Sequence, residues 1–340
     1  MTHRAAIVGV SGYTGQELVR LVVSHPELDL VGLFGSSTRS GEPIGDVAPG
    51  LRGVVEGEVR AGTASAIAHA GAEVAFLATP HEASVGLAGD LLDAGVRVVD
   101  LSAAFRLQEA SLYPRFYGFD HARPDLLAEA VYGMPELDRS RLRGARLLAS
   151  PGCYPTSAVL PIAALASAGL IDGGRRVIID STSGVSGAGR GANARTSFCE
   201  VSQSPYAVLT HRHQPEIDAY CGTETIFTPH LGPYARGICS TIHIQLAQGC
   251  SEDDARSALH DAYKSERFVR LLPSGVWPSV AAVCQTNYVD FALAARGSHL
   301  ILVSCLDNLV KGASGQALQA FNASVGLDES LGLPAIGGAS

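Results

Sequence analysis

Short apolar runs alternate with amphipathic segments along the first 150 residues of the chain. The segments 15–26 and 83–95 carry apolar residues at helical spacing, and Pro26 and Gly95 end them. Before, between and after these segments lie four apolar runs, at 5–10, 28–35, 74–79 and 96–102. Unbroken runs separated by helices are typical of buried parallel strands, so the pattern predicts an α/β, Rossmann-type domain.

The hydrophobic pattern changes after residue 150. A helix is predicted from about Thr156 to Ala168, and further helices at 251–265 and 308–324. Strand-like runs lie between Gly/Ser/Pro loops at 176–182, 237–246 and 299–307, and the second of them alternates as a half-exposed antiparallel strand does. The pattern predicts an α+β domain over 151–307, with the C-terminal segment 308–340 returning to complete the first domain, 1–150.

Composition narrows the class of protein. Of 340 residues 46% are hydrophobic, which allows a large core, and the net charge of −8 with no Lys/Arg block argues against a nucleic-acid partner. No secretory signal or membrane-spanning run is visible, so we expect a cytoplasmic protein. The seven cysteines are widely spaced, without a CxxC pair, which indicates neither a disulfide framework nor a metal site.

A glycine-rich turn follows the first predicted strand. It contains Gly9, Gly12 and Gly15 in the spacing GxxGxxG, directly before a helix. Glycines let a pyrophosphate approach the N–H groups of a helix N-terminus, so the turn predicts a dinucleotide site. The alternative is a tight turn without a ligand.

The end of the second strand indicates which dinucleotide binds. NAD sites usually place a carboxylate here, but the segment GSSTRSG (35–41) has none before Glu42. Ser36, Ser37 and Arg39 suit a 2′-phosphate, which favours NADP. The alternative is an ordinary serine-rich surface turn.

Cys153 lies in SPGCYPT (150–156), at the predicted start of a helix. A helix N-terminus favours an anion and lowers the pKa of a thiol, so Cys153 is a candidate nucleophile. The other six cysteines are expected in the core.

A base for Cys153 is predicted in THRHQPEI (210–217). His211 and His213 would point the same way if the segment were extended, and Glu216 is placed to orient an imidazole. Metal binding by the two histidines is the alternative, although no third ligand cluster is evident.

A second glycine loop, STSGVSGAGR (181–190), ends in Arg190 and has the composition of an anion-binding loop or of a hinge.

Seven segments together resemble the N-acetyl-γ-glutamyl-phosphate reductase family, which is similar in architecture to aspartate-semialdehyde dehydrogenase. They are GVSGYTGQELVRLV, VVDLSAAFRL, YGMPEL, SPGCYPTSA, SGVSGAGR, HRHQPEI and DNLVKGASGQALQ. The resemblance covers nearly the whole chain. It implies NADPH-dependent reduction of N-acetylglutamyl 5-phosphate to the 5-semialdehyde, with release of phosphate, in arginine biosynthesis.

The resemblance also implies residue roles. Cys153 would form a thioester, and His213 in preference to His211 would protonate the collapsing hemithioacetal. Cations for the acyl phosphate would be Arg106, Arg190 and Arg212, and the cofactor would contact Gly9, Ser11, Gly12, Tyr13, Thr14, Gly15, Ser36, Ser37, Arg39, Ser102, Ser183, Gly184 and Asn308. A homodimer or homotetramer is expected.

One departure from the family pattern and two alternative functions remain at this point. The family usually reads DLSADFR, whereas this chain has Ala104 in place of the acid. The first alternative is a reductase for the acyl phosphate one methylene longer, as in lysine biosynthesis. One methylene changes the free energy of substrate discrimination by only ~1–3 kcal/mol, so the sequence does not separate the two substrates. A non-catalytic NADP-binding protein is the second alternative.

Overall fold

The computed structural model describes residues 2–337, which fold into two compact units. The first unit contains 2–151 together with 313–333, and the second contains 152–312 and 334–337. Residues 338–340, the end of the segment predicted to complete the first domain, lie outside the described residues. No helix within 2–337 is long and apolar enough to cross a membrane.

The first unit is built on a parallel sheet of seven strands within the described residues, in the order β3-β2-β1-β4-β5-β7-β6. The strands are β1 (His3–Val8), β2 (Leu28–Gly35), β3 (Arg60–Ala61), β4 (Val74–Leu77), β5 (Arg97–Asp100), β6 (Val131–Tyr132) and β7 (Leu147–Ala149). Its first helices are α1 (Tyr13–Val23), α2 (Ile44–Val47), α3 (Ala64–His69), α4 (His81–Asp93), α5 (Leu112–Tyr117), α6 (Pro124–Glu129) and α7 (Pro135–Leu142).

Two apolar layers hold this sheet between helices. One layer contains Ile7 and Phe76 of the sheet with Leu18 of α1, and the other contains Leu77 of the sheet with Leu91 of α4. All five side chains are buried. The predicted parallel α/β sheet is therefore confirmed, and its continuous apolar strands reflect burial on both faces.

The second unit is built on a mixed sheet in the order β12-β13-β14-β11-β8-β10-β9. Its strands are β8 (Val177–Gly184), β9 (Ser204–Pro205), β10 (Thr225–Gly232), β11 (Ile238–Gln245), β12 (Val269–Leu271), β13 (Val289–Arg296) and β14 (His299–Leu306). Its helices are α8 (Cys153–Ser167), α9 (Gln214–Cys221), α10 (Glu252–Tyr263) and α11 (Val280–Val283). The last helix of the chain, α12 (Gly315–Val325), belongs to the first unit.

The α+β prediction for this part is confirmed, but the predicted strand runs cover only β8, β11 and β14 of its sheet, and two helices begin at other residues than predicted. The first helix begins at Cys153 itself rather than near Thr156, because Gly152 already serves as its N-cap. In the predicted helix over 308–324 the α-helix begins only at Gly315, and residues Val310–Ser314 form a π-helical turn. Strand β13 was not predicted, since Asp290 interrupts its apolar run; Arg270 neutralises that carboxylate through a 2.6 Å contact.

Candidate active site

Cys153 is the first residue of α8, and the turn before it is held from both sides. The Gly152 N–H donates to Glu216 Oε1 at 2.8 Å, and Thr156 Oγ1 donates to the Gly152 carbonyl at 2.9 Å. Glu216 is completely buried, and no side chain caps the helix. The half-buried thiol therefore lies at an uncapped helix N-terminus, where the helix dipole favours its anion.

The two candidate histidines lie in a turn directly before α9. His213 has helical backbone angles, so the segment is a turn and not an extended strand. The rings nevertheless meet, with centroids 4.8 Å apart, because the His213 N–H donates to His211 Nδ1 at 3.1 Å. This bond makes Nδ1 an acceptor, which places the proton of neutral His211 on Nε2.

Tyr154 brings the thiol helix and the histidines together. Its ring packs against His211 and His213 at centroid distances of 5.7 and 5.9 Å. Tyr206 also packs against His211, at a centroid distance of 5.4 Å, and its hydroxyl donates to Tyr154 Oη at 3.3 Å. Tyr154, the residue after Cys153, thus links the N-terminus of α8 to both histidines, and with Tyr206 it forms an aromatic wall that the sequence did not reveal.

Burial sets the protonation of this wall. It lowers the pKa of His211 to about 4, with the positive charge of Arg212 acting in the same direction. It raises the pKa of the Tyr154 and Tyr206 hydroxyls. His211 is therefore a neutral imidazole at neutral pH, and both tyrosines keep their protons.

The predicted loop residues of the second unit form a hydrogen-bonded group. Asn308 Oδ1 accepts from the Gly237 N–H at 2.6 Å, and its Nδ2 donates to Ser186 Oγ at 3.0 Å. Gly184 packs so closely against the backbone of Arg236 that a Cβ on Gly184 would lie 2.7 Å from the Arg236 backbone nitrogen. Ser183 is buried beside it and donates to the Gly184 carbonyl at 3.0 Å. The side chains of Arg190 and Arg212 are exposed.

An ion pair and a π-helical turn lie next to these residues, and neither was predicted from the sequence. Asp307 is completely buried, pairs with Arg236 Nε at 2.9 Å, and accepts from the N–H groups of Leu309 and Val310. The turn that follows places Gly312 against Cys153. No local motif signals this contact, since its two partners come from opposite ends of the second unit.

The glycine turn of the first unit fits a pyrophosphate. Gly9 has φ +95°, and a Cβ on it would lie 2.2 Å from the Ala78 carbonyl oxygen. A Cβ on Gly15 would lie 2.2 Å from the Gly9 carbonyl oxygen. Gly12 is the N-cap of α1, which no side chain caps. The glycines permit close packing and leave an uncapped helix N-terminus, which is the chemistry that binds phosphate.

The residues around that turn are held within the first unit. Gln16 Nε2 donates to the Ser11 carbonyl at 3.3 Å, and Ser314 Oγ of the chain's C-terminal part donates to the Thr14 carbonyl at 3.1 Å. Tyr13 is exposed at the start of α1. The α12 segment therefore supports the backbone of the glycine turn.

The serine-rich turn after β2 is exposed. Ser36 and Thr38 share a hydrogen bond of 2.7 Å, and residues 37–39, which include Ser37, form one 3₁₀ turn. Arg39 Nη1 lies 2.9 Å from Glu42 Oε2, and both side chains are exposed. The cation predicted to meet a 2′-phosphate thus has a nearby carboxylate partner.

Ser102 and Arg106 are both engaged inside the first unit. Ser102 Oγ donates to buried Asp100 at 2.7 Å, and burial raises the pKa of Asp100. Buried Arg106 donates to the carbonyls of Ser150 and Leu101 at 2.7 and 2.9 Å. Ala104, at the position of the family's acid, is also buried, and its N–H donates to Ser102 Oγ.

Among residues 2–337, no group of three or more His, Cys, Asp or Glu side chains is arranged to hold a metal.

Two family models match the chain in sequence order. A semialdehyde dehydrogenase NAD binding domain matches residues 4–145, and a semialdehyde dehydrogenase dimerisation domain matches residues 153–308. Among solved structures, aspartate semialdehyde dehydrogenase II of Vibrio cholerae covers 95% of this chain and 98% of its own, with a TM-score of 0.72 at 16% identity. That likeness shows the fold.

Curated relatives are much closer in sequence. The N-acetyl-gamma-glutamyl-phosphate reductase of Pectobacterium carotovorum is 45% identical over 96% of this chain and 98% of its own length. The protein of the same name from Escherichia coli K12 is 44% identical over the same shares. The resemblance found in the motifs is thereby confirmed. The chain belongs to the N-acetyl-gamma-glutamyl-phosphate reductase family, a branch of the semialdehyde dehydrogenases.

Proposed function

We propose that this chain reduces N-acetyl-γ-glutamyl phosphate to N-acetylglutamate semialdehyde, with NADPH as reductant and phosphate as the leaving group. The observation that carries the proposal is the contact of Tyr154, next to Cys153, with His211 and His213, together with the hydrogen bond from the Gly152 N–H to Glu216. The names of its relatives, at 44–45% identity over nearly the whole chain, support the same substrate and a place in arginine biosynthesis.

Cys153 is the nucleophile in this proposal. Its thiolate attacks the acyl carbon, the carbon–oxygen bond to phosphate breaks, and a thioester forms on the sulfur. The N–H groups of the uncapped first turn of α8 face developing negative charge on the carbonyl oxygen. Glu216 keeps this turn in place through the Gly152 N–H.

His213 is the acid/base group in this proposal, and His211 positions it. His211 uses Nδ1 to hold the His213 backbone, and its low pKa keeps it neutral. His213 then takes the proton of the Cys153 thiol and later returns a proton to the substrate oxygen. A neutral His211 avoids a second positive charge 4.8 Å away, which would disfavour protonated His213.

The first unit supplies the nucleotide site in this proposal. Bound NADPH supplies the hydride that reduces the thioester. Gly9, Gly12 and Gly15 hold the pyrophosphate, with Ser11, Tyr13 and Thr14 beside them. Ser36, Ser37 and Arg39 bind the 2′-phosphate. Ser102 is a further candidate for cofactor contact in this unit, whereas the roles implied for Ser183, Gly184 and Asn308 of the second unit stay predictions.

The three arginines divide into two roles. Arg190 and Arg212 are exposed cations of the second unit, so we propose that they attract the acyl phosphate. Arg106 is buried and its guanidinium already holds two backbone carbonyls, which supports a structural role for it.

The two compact units are proposed to be the nucleotide-binding domain and the catalytic and oligomerisation domain. The match of residues 153–308 to a dimerisation domain supports a homo-oligomer. A homodimer or homotetramer is the proposed state, and light scattering of the purified chain measures it. The free cysteines among the described residues support the cytoplasm as the compartment.

The reverse reaction provides a direct test. N-acetylglutamate semialdehyde, phosphate and NADP should give NADPH, followed by its absorbance, and omission of phosphate should abolish the signal. The semialdehyde one methylene longer serves as the competing substrate. A protein that binds NADP yet produces no phosphate-dependent NADPH would overturn the proposal, and a preference for the longer substrate would transfer it to the lysine-type reaction.

A further inference from the structure

Two cysteines outside the site face each other in the mixed sheet. Strands β11 and β14 are antiparallel, and their register places Cys239 directly opposite Cys305. Cys239 is half-buried and Cys305 is buried. Both were expected to be ordinary core residues, as single small side chains in separate strands.

Backbone hydrogen bonds define the type of this cross-strand pair. In the same register the Leu246 N–H donates to the Ser298 carbonyl at 2.8 Å. Leu246 and Ser298 are therefore a hydrogen-bonded pair. Hydrogen-bonded and non-hydrogen-bonded pairs alternate along an antiparallel ladder, and Cys239 lies an odd number of positions, seven, from Leu246. Cys239 and Cys305 are thus a non-hydrogen-bonded pair.

The pairing of β11 with its other neighbour, β8, also indicates that Cys239 and Cys305 are a non-hydrogen-bonded pair. The Gly184 N–H donates to the Gly237 carbonyl at 2.9 Å, and two residues further along β11 Cys239 is opposite Thr182. The backbone groups of Cys239 therefore point toward β8 and away from β14.

This geometry suits a disulfide. Cα atoms of a non-hydrogen-bonded pair lie about 4.5 Å apart. Disulfides bridge Cα separations of about 4.4–6.8 Å, so Cys239 and Cys305 can be joined with little backbone movement.

The surroundings make the two thiols unequal. Interaction with Cys305 lowers the pKa of Cys239, whereas interaction with Cys239, burial and the charge of Asp290 raise the pKa of Cys305. Cys239 is thus the more acidic and the more accessible thiol, which makes it the attacking group. Burial, and to a smaller extent the nearby Cys239 and Cys305, raise the pKa of Tyr234, which stays protonated.

We propose that Cys239 and Cys305 form a reversible disulfide within one chain when a small-molecule disulfide is the oxidant. The Cys239 thiolate attacks one sulfur of the oxidant, whose S–S bond breaks to release one thiolate. The Cys305 thiol then attacks the Cys239 sulfur, its proton passing to the second leaving thiolate. Two cysteines are oxidised to one disulfide, and the oxidant is reduced to two thiols.

The bond would join two strand ends that carry part of the active site. Gly237, directly before β11, donates its N–H to Asn308, which follows β14 after Asp307. Oxidation would therefore fix the separation of the two strands next to the Asn308 group. We expect a higher thermal unfolding midpoint for the oxidised protein, because the bond closes a long loop.

The test uses the full chain and hydroxyethyl disulfide at mildly alkaline pH. After alkylation of remaining thiols, non-reducing peptide mapping should show the Cys239 peptide linked to the Cys305 peptide, and dithiothreitol should separate them. Exposed Cys199 reports that the oxidant is active, since it should carry a mixed disulfide. The link should persist in Cys250→Ser, the matched control at another half-buried thiol, and be absent in Cys239→Ser.

Two results would overturn the proposal. One is recovery of both cysteines as free thiols in wild-type protein whose Cys199 is fully modified. The other is Cys239 found only as a mixed disulfide with the oxidant. Because mapping is done on wild-type protein, both results are decisive even if Cys239→Ser fails to fold.

Discussion

Gly312 lies directly against Cys153. A Cβ on Gly312 would be 2.8 Å from Cys153 Cβ and 3.2 Å from Cys153 Cα. These atoms are fixed by the backbone of α8, so they cannot move away as the end of a flexible side chain would. The π-helical turn thus brings its glycine to the place where only a hydrogen atom fits, and this contact sets the position of the thiol.

The first prediction concerns this contact. Gly312→Ala should displace Cys153 and lower kcat by roughly 100-fold, since an error of about 1 Å in a reacting group costs that much. Steady-state kinetics and the rate of Cys153 alkylation measure the effect. Gly86→Ala is the matched control, because a Cβ there meets nothing within 4 Å. Unchanged kcat and alkylation in Gly312→Ala would show that the contact does not position the thiol.

The second prediction separates the two histidines. His213→Asn should lower kcat by ~10²–10⁴-fold, the usual contribution of general acid–base catalysis. His211→Asn should have a smaller effect on kcat and should leave the pH profile in place, because His211 is neutral above a pKa of about 4. A loss of the acidic limb of the pH profile in His211→Asn alone would reverse the two roles.

The third prediction concerns acid stability. Burial lowers the pKa of His25 and His121, as it does that of His211. Each folded-state pKa lies below the unfolded value of 6.5, so the unfolded chain binds protons first. The stability from the neutral histidines is complete above pH 6.5 and is lost as pH falls below it.

Thermal unfolding at pH 7.5 and pH 5.5 measures this change. The midpoint should fall at the lower pH, and His121→Gln should reduce the size of the fall. His260→Gln is the control, since His260 is exposed on α10. An equal fall in all three proteins would show that other groups cause the acid sensitivity.

The fourth prediction concerns the choice of nucleotide. Arg39→Ala should weaken NADPH binding by about 10- to 100-fold, the range of ~1.5–3 kcal/mol for a hydrogen bond to a charged group, and should change NADH binding much less. Arg52→Ala is a suitable control, because Arg52 is another exposed arginine paired with a carboxylate, Asp46. Equal weakening of both nucleotides would contradict the 2′-phosphate assignment.

The sequence predicted what local patterns encode. The continuous apolar runs around Ile7 and Phe76 predicted buried parallel strands, and the Gly9 turn was found between the expected strand and helix. Tyr154, the residue after Cys153, packs against both of the predicted histidines, although the histidine segment is a turn and not a strand.

What the sequence did not reveal depends on contacts between distant segments. Tyr154 is adjacent to Cys153, yet its role as the wall beside both histidines requires the folded turn before α9. The fit of Gly312 against Cys153 depends on the π-helical turn, which has no periodic signal of its own. Strand β13 was missed because Asp290 resembles a surface residue until Arg270 is placed beside it.

The identity of the nucleophile is the central claim, and Cys153→Ser tests it most directly. The variant and the wild type should bind NADPH equally, as followed by nucleotide fluorescence. With acyl phosphate and no NADPH, wild-type protein should release about one equivalent of phosphate per site in a burst and carry the acyl group, as seen by intact mass. Cys153→Ser should show neither the burst nor turnover. A burst of normal size, or substantial residual turnover, in the variant would remove Cys153 from the mechanism.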